Sequence, residues 1–156
     1  MTGELRELIS GGQTGVDRAA LDVAVELGLE HGGWCPRGRR AEDGAISPRY
    51  RLRETEQRGY RHRTRRNVQD SEATLVLTVG EPRGGTALTL RLARAAQRPV
   101  LVVDLNRGQA SLEAQRVRAW LREHAVARLN VAGPRESSSP GVAERAAGFL
   151  RLVLVA

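Results

Sequence analysis

Residues 8–24 read LISGGQTGVDRAALDVA: an apolar run, a turn holding three glycines around Gln13 and Thr14, and then apolar positions at helical spacing. The stretch Leu5 to Ser10 is short and apolar and suits a buried strand. Val16, Ala19, Ala20, Val23, Ala24 and Leu27 keep the i, i+3, i+4 spacing of an amphipathic helix that stops before Gly28. Strand, glycine turn, helix opens a βαβ unit. The turn from Gly11 to Gly15 then lies at a helix N-terminus, where free N–H groups and the positive dipole end attract an anion.

Downstream, the pattern repeats. Apolar runs at Ala73 to Val79, Pro99 to Leu105 and Ala127 to Ala132 read as buried strands, and His31 to Pro36 as a further one weakened by two glycines. Helices are predicted over Thr86 to Gln97 with Leu88, Leu92, Ala95 and Ala96 inward, over Leu112 to His124, and from Val142 to about Val153. The apolar end FLRLVLV should dock on the sheet or on another subunit. Alternating strands and helices predict an α/β fold: one open, mostly parallel sheet with helices on both faces, in one domain spanning residues 1–156. Residues 37–66 show neither period, and Gly38, Gly44, Pro48 and Gly59 punctuate them. Irregular stretches of that length carry function, are disordered, or hide an element that periodicity does not reveal. Asn67 to Glu72 reads as a short helical turn.

The net charge of +7 sits in that segment. Arg37 to Arg66 holds eleven arginines against four acids, and the remaining residues are neutral. A local excess argues for an anion bound there rather than for general stickiness. There is no lysine, so every cation is a guanidinium suited to bidentate phosphate contacts. Cys35 is the only cysteine, no Cys/His cluster has metal-ligand spacing, and the first ten residues lack the basic flank and apolar core of a signal peptide. No apolar run reaches the ~20 residues of a membrane helix. These features predict a cytoplasmic protein without a metal site.

Gly15 is followed by Val16, Asp17 and Arg18 rather than Lys-Ser/Thr, which excludes a Walker A loop. Where a dinucleotide site would place a ribose-binding acid, the chain has Arg37, Arg39 and Arg40. A phosphate-rich ligand fits better than NAD, although a purely structural glycine turn remains open.

Five blocks, ISGGQTGVDRAALDVA, GGWCPRGRRAEDGAI, RTRRNVQDSEATLVL, GGTALT and LNVAGPRES, resemble the molybdenum carrier proteins. That family lies in a wider Rossmann-like superfamily with the cytokinin-activating phosphoribohydrolases, once mislabelled lysine decarboxylases. The resemblance implies a Rossmann-like three-layer αβα fold and a homo-oligomer, dimeric or tetrameric. It further implies a carrier for the molybdenum cofactor (molybdopterin), serving molybdoenzymes. The enzymes of that superfamily carry Pro-Gly-Gly-x-Gly-Thr-x-x-Glu; here EPRGGTALT places Thr89 where the glutamate stands. A threonine cannot supply that carboxylate, so the resemblance implies binding without turnover.

The ligand-binding residues expected on this basis are Gly11, Gly12, Gln13, Thr14, Gly15, Asp17 and Arg18 in the first turn. Arg37 follows the second strand, Asn67, Asp70 and Ser71 precede the central one, and Gly84, Gly85 and Thr86 form the second glycine turn. For Thr14 an N-cap, and for Asp17 a dipole or salt-bridge role, serve equally. Cys35 reads as a small core residue. The three histidines show neither triad nor metal spacing. Two alternatives to the carrier are a nucleotide sensor or nucleoside-monophosphate phosphoribohydrolase, and a single-stranded nucleic-acid module using Trp34, Tyr50 and Tyr60 among the arginines. Of these partners a phosphate-bearing small molecule is expected, and nucleic acid or membrane is not.

Overall fold

The computed structural model describes residues 4–155; Met1 to Gly3, part of the amino-terminal stretch read above for a signal peptide, and Ala156 lie outside the described residues. In chain order the elements are β1 (Glu7–Ile9), α1 (Val16–Leu27), β2 (Glu30–Gly32), β3 (Trp34–Cys35), β4 (Arg40–Ala41), β5 (Gly44–Ala45), β6 (Arg53–Glu54) and α2 (Tyr60–Gln69). There follow β7 (Ala73–Thr78), α3 (Gly84–Ala95), β8 (Val100–Asp104), α4 (Ala110–Glu123), β9 (Arg128–Ala132) and α5 (Val142–Leu154).

The central sheet has the order β2-β1-β9-β7-β8, and each pairing is parallel, with Leu8 opposite Leu129 and Leu75 opposite both Val131 and Leu101. Helices α1, α4 and α5 pack together on one face, and α2 with α3 on the other, giving three layers. The first face is apolar. Leu8, Leu75, Leu77, Leu129 and Val131 meet Val16 and Ala20 of α1, Val117 of α4, and Phe149 and Leu150 of α5. Strand alternation turns Thr74, Thr78 and Asn130 to the other face, where Asn130 Nδ2 donates to Thr74 Oγ1 at 3.3 Å.

That polarity explains one difference from the sequence reading. The buried stripe of α3 is Thr86, Thr89, Leu90 and Ala93, whereas Leu88 and Leu92 are half-buried and Ala95 and Ala96 exposed. A helix lying on hydroxyls and amides buries its own threonines. A second difference is α2, which starts at Tyr60 inside the segment read as irregular. Its sequence YRHRTRRNVQ has no apolar stripe, and the side chains it buries are Arg63, Asn67 and Val68. The expected strand over 31–36 is broken at Gly33 (φ 134), where a Cβ would overlap the Ser10 backbone, so β3 leaves the main sheet and pairs with β6.

The rest of the basic segment is ordered by Arg39. Its guanidinium donates to the carbonyls of Ile46 (3.0 Å), Ser47 (2.7 Å) and Tyr50 (2.8 Å), closing a loop over the small cluster of Leu21, Cys35, Ala41, Ile46 and Tyr50. Cys35 is fully buried there. The carboxyl-terminal run docks within the chain, with Phe149, Leu150 and Val153 in the main core. Among the described residues no helix is long and apolar enough to cross a membrane.

Gly133 sits where a Cβ would overlap the Leu77 carbonyl and the Val16 side chain, while Gly148, on α5, faces open space. Gly133→Ala should therefore lower stability by about 1–3 kcal/mol, as overpacking does. Gly148→Ala should raise it by about 1 kcal/mol through helix propensity. Urea unfolding midpoints of the two variants, moving in opposite directions, check the assignment.

Candidate functional site

The order β2-β1-β9-β7-β8 makes the chain leave β1 towards one edge and β7 towards the other, and open α/β sheets bind ligands at such a reversal, beyond the strands' carboxyl ends. A cavity of about 1020 Å³ lies there. The β1–α1 turn, α2, the β7–α3 turn and the β9–α5 loop line it, with four arginines (Arg63, Arg83, Arg135, Arg145) against the carboxyls of Asp17 and Glu81. Of the residues expected from sequence, Gly11, Gln13, Asp17, Asn67, Gly84, Gly85 and Thr86 line it. Gly12, Thr14, Gly15, Arg18, Arg37, Asp70 and Ser71 do not.

The first glycine turn is filled by the protein itself. A Cβ on Gly11 would overlap the Arg63 guanidinium, one on Gly12 the side chains of Leu52 and Ile46, and one on Gly15 (φ 82) the backbone of Pro134 to Glu136. Four of the donors along it are also engaged. Gly12 N–H donates to Ser10 Oγ (3.2 Å), Gln13 N–H to Asp17 Oδ2 (3.4 Å), Thr14 N–H to Gln13 Oε1 (3.0 Å) and Val16 N–H to the Pro134 carbonyl (3.2 Å). Thr14 Oγ1 donates to Glu42 and accepts from the Glu136 N–H, and Arg18 forks onto Asp43 at 3.1 and 3.2 Å.

The second glycine turn is open. No side chain caps α3, and its first turn contains no acid. Thr86 and Ala87 N–H turn back to the Arg83 carbonyl, and among the described residues nothing accepts from the N–H groups of Gly84 (φ 51) and Gly85. Arg83, exposed beside them, forms no ion pair among the described residues. Thr89, at the position of the enzymes' glutamate, donates back to the Gly85 carbonyl (3.0 Å) and caps nothing in the cavity.

Arg63 is a cavity residue that sequence reasoning did not single out, because it looked like one arginine of eleven. Its Nη1 donates to the Gly11 carbonyl (2.8 Å) and stands 3.6 Å from Asp17 Oδ2; both side chains are nine-tenths buried. Tyr60, one turn away on α2, places its ring 5.2 Å from the Arg63 guanidinium and 5.3 Å from that of Arg135. Gln13, also in the lining, accepts at Oε1 from Thr14 and Glu42 N–H while its buried Nε2 has no partner, an arrangement that costs about 1–3 kcal/mol.

The other expected residues have structural duties. Asn67 binds the Trp34 backbone through both ends of its amide (2.7 and 3.0 Å), Asp70 accepts from Trp34 Nε1 (2.7 Å), and Ser71 Oγ donates to the Asn67 carbonyl (2.7 Å). Arg37 is exposed, its N–H held by the Gln57 carbonyl at the entrance of the basic loop. The Cys35 thiol, its pKa raised by burial, is sealed in the small cluster. Among the described residues no three His, Cys, Asp or Glu side chains gather as a metal site.

Burial pushes the Asp17 carboxyl up to about 6 from its ordinary 3.8, and attraction to Arg63 offsets only part of this. Between pH 4 and 6 the folded chain thus holds a proton that the unfolded chain has released, so Asp17 favours folding most at low pH and loses that contribution as pH rises through 6. The change is at most about 3 kcal/mol. Asp17→Asn has no such titration. Its stability relative to the parent should rise from pH 4 to pH 7, and urea midpoints differing by the same amount at both pH values would refute the raised pKa.

The sequence matches the family described as circularly permutated YpsA SLOG over residues 8–154. The fold superposes on the crystal structure of a protein named "Putative molybdenum carrier protein" from Syntrophus aciditrophicus SB, with a TM-score of 0.96 and 38% sequence identity over 100% of this chain and 98% of that one. No curated protein matches the sequence. With the family's pattern running from the first strand to the end of α5, the chain belongs to the circularly permuted YpsA SLOG family.

Proposed function

We propose that this protein is a non-catalytic carrier of a phosphate-bearing small molecule, held with its phosphate on the amino end of α3. The observation that carries this reading is the pair of unengaged Gly84 and Gly85 N–H groups opening on a cavity lined by four arginines. Charged hydrogen bonds contribute about 1.5–3 kcal/mol each. Three or four of them reach the ~8 kcal/mol of micromolar binding after ordering costs. Within the class, the molybdenum cofactor is the proposed cargo. The name of the similar Syntrophus protein supports a carrier role, and the cavity is of the size that holds ligands of this kind. With no metal-ligand cluster among the described residues, the protein grips its cargo by the phosphate and ring and leaves the metal end to the pterin.

A second reading has one observation in its favour. Asp17, a carboxyl titrating near pH 6, shares the cavity with the phosphate seat and has the pKa of a general acid or base. It would make the protein a hydrolase of nucleoside monophosphates.

Purified from cells that make the cofactor, the protein should carry a pterin, and Arg83→Glu should weaken its retention tenfold or more. Absence of copurified pterin together with no saturable uptake of added cofactor would exclude the carrier reading. Sustained release of free base from nucleoside monophosphates, lost in Asp17→Asn, would install the hydrolase in its place.

A further inference from the structure

Asp17 and Arg63 each keep one group unspent. Asp17 Oδ2 is used by the Gln13 N–H and Arg63, but Oδ1 accepts from no described residue. Arg63 uses Nη1 on Gly11 and Nε on Thr64, and Nη2 donates to none. Neither atom is sealed off, since the one buried unpartnered side-chain atom among the described residues is Gln13 Nε2. Both residues line the cavity, so an acceptor and a donor open into it side by side. The Tyr60 ring adds an aromatic wall at the same end.

The fold keeps this pair at a cost. Burial pushes the Asp17 pKa up and the Arg63 pKa down, so each charge is held against its desolvation cost. Buried charges kept at such cost in a cleft mark a site. Gly11 is part of the construction, because any side chain there would displace the guanidinium.

We propose that Asp17 and Arg63 read the edge of a 2-amino-4-oxopyrimidine ring, as in guanine and pterins, while the ligand's phosphate sits on Gly84 and Gly85. Asp17 accepts from the ring N–H and the exocyclic amine, and Arg63 donates to the adjacent ring carbonyl. An adenine edge, whose ring nitrogen carries no hydrogen, satisfies the carboxylate once instead of twice. This inference rests on the phosphate seat at α3 and supplies the ring selectivity which that seat lacks.

Calorimetry with three defined probes tests it: ribose 5-phosphate, guanosine 5′-monophosphate, and the same nucleotide methylated at ring N1. The parent protein should bind the guanine nucleotide at least tenfold more tightly than ribose 5-phosphate, and N1-methylation should erase most of the gain. Asp17→Asn, which removes a negative charge from the cavity, should bind ribose 5-phosphate at least as tightly as the parent does and bind the guanine nucleotide no more tightly than ribose 5-phosphate. Equal parent affinity for all three probes, or an Asp17→Asn variant that keeps the preference, overturns the ring reader and leaves the phosphate seat standing. If ribose 5-phosphate binds no less tightly to Arg83→Glu, or none of the probes binds the parent, the seat itself fails and the ring reader with it. The methylated probe needs no variant, so a folding defect in Asp17→Asn cannot shield the proposal.

Discussion

The guanidinium of Arg63 lies across Gly11, bonded to that residue's carbonyl and facing Asp17, and much of the structure follows from this placement. It ties α2, which has almost no apolar surface of its own, to the turn between β1 and α1. A buried guanidinium must find acceptors, and the ones available are the Gly11 carbonyl, Thr64 Oγ1 and the Asp17 carboxylate. With those contacts made, α2 forms one wall of the cavity and the guanidinium fills the space beside Gly11.

The basic segment divides by the same logic. Arg39 spends its donors on loop carbonyls, Arg49 on Asp22, and Arg63 on the first turn. The β4–β5 hairpin is fastened down by acids instead. Glu42 accepts from Thr14 and from Ser137, joining the β1–α1 turn to the β9–α5 loop, and Asp43 holds Arg18. The positive excess is therefore partly the frame of one cavity wall. Its cavity share is Arg63 alone; the other three cavity arginines, Arg83, Arg135 and Arg145, come from outside the segment.

The architecture was legible because apolar periodicity is a local signal: every strand of the main sheet and helices α1, α3, α4 and α5 were expected within a few residues of their observed places. Helix α2 was not, since polar contacts from Arg63 and Asn67 leave no periodic trace. The candidate site was half legible. Gly11, Gln13, Asp17, Asn67 and the second glycine turn reach the cavity. Gly12 and Gly15 resemble phosphate-binding glycines but make room for Ile46, Leu52 and the 134–136 backbone. Sequence shows that a side chain is missing and not what occupies its place. Arg135 and Ser137 to Ser139 enter from the β9–α5 loop and Arg145 from the start of α5, and the approach of that loop to the β1–α1 turn depends on strand order that no local pattern encodes.

Helices α1, α3 and α5 begin along this edge of the sheet after β1, β7 and β9, and each presents the same dipole to a ligand. The difference between them lies in which already hold a carboxylate. In α1, Asp17 accepts the Gln13 N–H; at α5, Glu136 takes the N–H groups of Gly141 and Ala143. Those carboxylates occupy the donors and repel an incoming anion over the same few ångströms. Helix α3 has no acid in its first turn and no side-chain cap, and its first two residues are glycines, with Arg83 beside them. For the proposed anion, the ends of α1 and α5 are neutralised from within and that of α3 is left open, so the acids at α1 and α5 favour the seat at α3 as much as its own donors do.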